Sequence, residues 1–83
     1  MIVGVITWEL HLAACQSLKE KRRIVKSLKD RLHHRFNVSA AETDHQDLWQ
    51  RAELSACVVG TDRRYVERVI READRLVGRK PAG

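Results

Sequence analysis

Aromatic residues are scarce in this 83-residue chain. Only 5% of positions are Phe, Trp or Tyr, with two Trp, one Tyr and one Phe. Any core must therefore come from Ile, Val, Leu and Ala, which suits a small domain near the lower limit of what folds alone. Four glycines (Gly4, Gly60, Gly78, Gly83) are too few and too scattered for a G-x-G-x-x-G or Walker phosphate loop. Cys15 and Cys57 form neither a CxxC pair nor a zinc spacing with the four histidines, so a metal site and a redox motif both lack support. Reduced thiols in a cytoplasmic protein are expected, with one disulfide left open. No run approaches the roughly 20 apolar residues of a membrane span. The apolar start, MIVGVITWEL, lacks the basic flank of a leader and is interrupted by Glu9 and His11.

What the chain does have is positive charge and clear periodicity. Sixteen Lys and Arg against eleven Asp and Glu give a net charge of +5, a balance that favours nucleic acid, an anionic surface or an acidic protein as partner. The alternative is plain solubility, which also requires net charge.

Residues 2–12 alternate. Ile2, Gly4, Ile6, Trp8, Leu10 and Leu12 share one face, which reads as buried. Val3, Val5, Thr7, Glu9 and His11 share the other, which begins apolar and ends polar. Ser17-x-x-Glu20 fits a capping box and opens a helix expected from Leu18 to about Arg35. At about 100° per residue, Leu18, Ile24, Val25, Leu28, Leu32 and Phe36 fall in one arc. Lys19, Arg22, Arg23, Lys26, Lys29 and His33 fall in an adjacent arc, interrupted by Asp30. Lys21 lies inside the apolar arc and is expected to snorkel, its methylenes on the core edge and its ammonium in water. Asn37 is the expected helix stop, through the left-handed conformation that Asn tolerates.

Residues 38–43 read as a short strand with Val38 and Ala40 on one face. Asp44-His45-Gln46-Asp47 reads as a polar turn, and residues 50–59 alternate as a third strand. There Ala52, Leu54, Ala56 and Val58 face inward, and Arg51, Glu53, Ser55, Cys57 and Val59 face outward. Thr61 or Asp62 caps a second helix with Val66, Val69, Ile70, Ala73, Leu76 and Val77 as its apolar stripe. Gly78 is the expected residue just past its end, and residues 79–83 the expected disordered tail.

The order β-α-β-β-α predicts one α+β domain over residues 1–83. Its plan is a ferredoxin-like two-layer sandwich, an antiparallel sheet with both helices on one face. The fourth strand of that plan is missing or doubtful, which leaves the first strand with an open edge for pairing with another chain. The small side chains on the open sheet face, with no aromatic platform for bases, suit a homodimer through that face or through the strand-one edge.

The strongest functional candidate is the basic row. Lys19, Arg22, Arg23, Lys26 and Lys29, with Arg51 as a further contact, could track a phosphate backbone. Trp49 beside Arg51 could stack a base, or else close the end of the sheet against Leu48 and the helices. Asp44, His45 and Asp47 have the residue types of an acid-base site, but Asp and His in a turn more often bond their own backbone. Cys15, near a helix start with basic neighbours, is a weak nucleophile candidate. No catalytic constellation is evident, so the chain reads as a non-enzyme without a cofactor.

Three runs, Ser17-Leu18-Lys19-Glu20-Lys21-Arg22-Arg23, Arg35-Phe36-Asn37-Val38-Ser39 and Asp44-His45-Gln46-Asp47-Leu48-Trp49-Gln50-Arg51-Ala52, resemble the YlxP-like family of small bacterial proteins (domain of unknown function 503). The resemblance implies a ferredoxin-like α+β fold and a cytoplasmic bacterial protein. Genes of that family often neighbour those for translation initiation and ribosome-binding factors, which implies a role around RNA or the ribosome. It supplies no catalytic residue. Asp44, His45, Gln46, Asp47, Trp49 and Gln50 form a signature loop to which it assigns no role.

Overall fold

The computed structural model describes residues 1–45 and 47–78. The elements are β1 (Ile2–His11), α1 (Leu18–Arg35), β2 (Ser39–Asp44), β3 (Arg51–Gly60) and α2 (Arg63–Gly78). The sheet order is β1-β3-β2, antiparallel throughout. β3 lies in the middle because β1 and β2 run parallel and the hairpin strand fills the space between them. Its register with β1 is continuous from Ile2↔Gly60 to His11↔Arg51. The fold is the expected α+β, ferredoxin-like arrangement, with strand ends within a residue or so of the expected ones.

Both helices cover one face. Val25, Leu28 and Leu32 of α1 and Ala73 and Val77 of α2 close over Trp8, Ala52, Leu54 and Ala56. Val66 and Val69 of α2 pack with Val58 in a second cluster. The period-2 and period-3.6 patterns meet here, each supplying one apolar face to a shared layer. Trp8 is core, as expected, and its indole N–H donates to Asp74 Oδ1 at 3.0 Å, a tie between α2 and the sheet.

The helix ends show why the boundaries fall where they do. Ser17 Oγ accepts from the Glu20 amide at 3.1 Å, as the capping box predicts. Asp62 Oδ1 accepts from the Arg64 amide at 2.9 Å and is the cap of α2. Asn37 does not stop α1 by a left-handed turn. Phe36 already leaves the helix in extended conformation (φ −134°, ψ 151°), drawn into contact with both core clusters. Gly78 is likewise not a left-handed residue beyond the helix, because α2 includes it. The expected tail, 79–83, lies outside the described residues.

Candidate functional site

α1 presents two surfaces. Lys19, Arg22, Arg23 and Lys26 are exposed and Lys29 is half-exposed, so the expected basic row faces solvent along one flank. Asp30 interrupts it by pairing with Lys26 at 3.0 Å. Among the described residues, no other member of that row has a carboxylate within ion-pair distance.

Arg51 does not join them. It lies on the open face of the sheet, at the far side of β3 from the helices, and donates from Nη2 to Glu9 Oε1 at 2.8 Å. The alternation of β3 requires this, since Ala52 beside it points into the core. Glu9 also meets His45, with 3.2 Å between Oε2 and Nε2. The Arg51 hydrogen bond, opposed by desolvation and reinforced by His45, holds the Glu9 carboxyl below its usual range. A depressed carboxylate stabilises the fold above its unfolded pKa, and that contribution is lost as pH falls through the folded value. A carbon-detected NMR titration should therefore give Glu9 a midpoint below that of an unstructured glutamate. In Arg51→Ala the midpoint should return towards it.

Lys21 departs from expectation. It does not snorkel; only 1% of its side chain is exposed. Its ammonium points across the core edge to the β2–β3 end of the sheet. There Nζ pairs with Glu42 Oε2 at 2.7 Å and donates to the carbonyl oxygens of Leu48, at 2.5 Å, and His45. Three N–H donors meet three acceptors. Glu42 turns inward because it sits two residues beyond Ala40 on β2, opposite Leu54. The Lys in the apolar arc and the inward Glu were the sequence signals for this contact.

The loop that Lys21 holds is the signature loop. A bulge between Glu42 and Asp44 sets Asp44, rather than Thr43, opposite Glu53. Thr43 is left to bond Glu53 Oε1 at 2.6 Å and Ser55 Oγ at 2.9 Å. His45 is left-handed (φ 61°), a conformation His tolerates better than most residues. Asp44 Oδ1 accepts from the His45 amide at 2.7 Å, and the Leu48 amide donates to His45 O at 3.1 Å. The turn reading thus holds for Asp44, whereas the His45 ring reaches across to Glu9. Asp47 and Gln50 are exposed, and Gln46 lies outside the described residues. Leu48 and Trp49 do not close the end of the sheet: 46% and 47% of their surfaces remain exposed.

Cys15 is not activated. It is buried, and desolvation, followed by the nearby Glu20 charge, raises its pKa against the smaller opposing effect of Lys21. Cys15 and Cys57 are both free thiols. Among the described residues, no group of His, Cys, Asp and Glu is placed to hold a metal ion. No described helix is long and apolar enough to cross a membrane.

The comparisons agree with one another. Residues 3–83 match the family model described as "Protein of unknown function (DUF503)". The chain is 34% identical over 67 residues to "Uncharacterized protein YlxP" of Bacillus subtilis (strain 168), covering 81% of this chain and 73% of that protein. The lysine-anchored loop and the capped basic helix are thus features of a chain that belongs to the DUF503 family.

Proposed function

We propose that this protein is a non-enzymatic RNA- or ribosome-associated binding module of the cytoplasm, which uses the basic flank of α1. The observation that supports this most is the row Lys19, Arg22, Arg23, Lys26 and Lys29, solvent-facing on a rigid helix with one interrupting carboxylate, Asp30. A flank of that kind gives a sequence-independent attraction to phosphates, released by salt. The signature loop, held at the His45 and Leu48 carbonyls by Lys21, contributes a second surface on which Trp49 is exposed.

The test is affinity for a structured RNA fragment, measured by fluorescence anisotropy at 50 mM salt. Arg22→Glu, Arg23→Glu and Lys26→Glu together should weaken binding by about 100-fold or more, on the scale of several lost phosphate contacts. Unchanged affinity in a folded triple variant would overturn the reading.

A second reading, a dimeric structural or regulatory module, is favoured by one observation. Val3, Val5 and Val59 on the open sheet face are 52%, 64% and 52% exposed. Adjacent exposed valines are a common mark of a covered face. If that face, or the β1 edge, pairs two copies, light scattering gives a dimer mass and Val5→Glu returns it to a monomer. A monomer in the unmodified protein eliminates this second reading.

A further inference from the structure

Two residues of the basic row, Arg23 and Lys26, also belong to a second feature. Between α1 and α2 runs a groove of about 940 Å³, lined by Arg23, Lys26, Arg31, Arg35 and Arg75. Asp30 and Glu72 are its two carboxylates, and each already has a cation: Lys26 for Asp30 at 3.0 Å, Arg68 for Glu72 at 3.9 Å. Among the described residues, no ion pair engages Arg23, Arg31, Arg35 or Arg75. Arg35 is steadied by the Phe36 ring, 5.5 Å from its guanidinium carbon. The groove holds more than half of the net charge of +5. Three of these arginines, Arg31, Arg35 and Arg75, lie outside the row that the helical arc defines.

We infer that this groove is the seat of the polyanion backbone and that its preferred ligand is base-paired RNA; the inference rests on the RNA reading above. Guanidinium groups match phosphate oxygens in bidentate geometry, and the groove has four where the flank row has two. Arg23 and Arg35 are separated by about 18 Å along the helix, enough for several successive phosphates. No Phe, Tyr or Trp lines the groove. Its one ring is His34, so unpaired bases would find only a single imidazole and the guanidinium planes to stack on, against the cost of ordering a flexible strand. A duplex presents its phosphates already spaced and is read through backbone and shape.

The experiment compares a 20-base-pair RNA duplex with an oligouridine of equal length, using the full chain and fluorescence anisotropy. One variant carries Arg31→Glu, Arg35→Glu and Arg75→Glu; a second carries Lys19→Glu, Arg22→Glu and Lys29→Glu, all outside the groove. Circular dichroism checks folding, and a Gln version of the groove triple replaces the Glu version if that one does not fold. The wild type should bind the duplex about tenfold more tightly than the single strand. The groove triple should lose at least about tenfold in duplex affinity, and more than the flank triple, since each lost phosphate contact also lowers the salt slope by about 0.9. A groove triple that binds as the wild type does, while the flank triple fails, overturns the inference and leaves the RNA reading standing. Preference for the single strand also overturns it. Failure of the wild type to bind either RNA overturns the RNA reading itself.

Discussion

Lys21→Met should cost about 3–5 kcal/mol of folding stability, the range found when one partner of a buried ion pair is removed. The side chain is nearly isosteric, so the loss is electrical rather than steric. Glu42, only 16% exposed, loses its cation, and the carbonyls of His45 and Leu48 lose their donor. For 83 residues, total stability should be of the order of 4–12 kcal/mol, so the variant forfeits a quarter or more of it. Adding Glu42→Met should restore part of the loss, because an apolar pair of similar volume often replaces a buried ion pair at little cost. It should not restore all of it, since the Leu48 carbonyl loses the lysine donor, while His45 O keeps only the Leu48 amide. Urea denaturation measures both variants. A Lys21→Met protein within about 1 kcal/mol of wild type would contradict the anchoring role.

Gly4→Ala should also destabilise, and Gly4→Val more so. Gly4 faces α2, and a Cβ built on it would lie 2.4 Å from Ile70 Cδ1 and 2.7 Å from Val66 Cγ1. The Ile70 terminus can rotate aside. The Val66 methyl cannot, because a helical valine has one strongly preferred χ1 rotamer. α2 must therefore lift from the sheet. Overpacking of this kind costs about 1–3 kcal/mol, against a gain of roughly 0.5–1 kcal/mol from replacing glycine within a regular element. The net sign is a loss for Ala. For Val, two further methyl groups enter the same contact and the loss should be near the top of the range or above it. Thermal unfolding measures the difference; a variant more stable than wild type would show that the helix–sheet spacing is looser than the contacts imply.

The fold was legible in the sequence because it rests on local rules. Alternation in residues 2–12 and 50–59, the Ser17 cap and the Val66–Val77 stripe each specify one element. The outward position of Arg51 followed from the same alternation, yet charge alone had grouped it with the α1 row. Lys21 was less legible. A helical arc places its Cα over the core but does not say where a long side chain ends. That depends on Glu42 and on carbonyls 24 and 27 residues further along the chain, brought there by a bulge. Trp49 was left between a stacking position and closure of the sheet end, and its 47% exposure favours the first. The interhelical groove depends on the separation of two helices that no local pattern encodes.

The basic helical surface as an RNA-binding site is tested most directly by the salt dependence of wild-type affinity for a base-paired RNA. If about five phosphates are neutralised, the logarithm of affinity should fall against the logarithm of salt concentration with a slope of about −4 to −5. Between 50 and 200 mM salt that is a loss of about two to three orders of magnitude. An affinity that does not change over this range, or no detectable binding at 50 mM salt, would contradict the account.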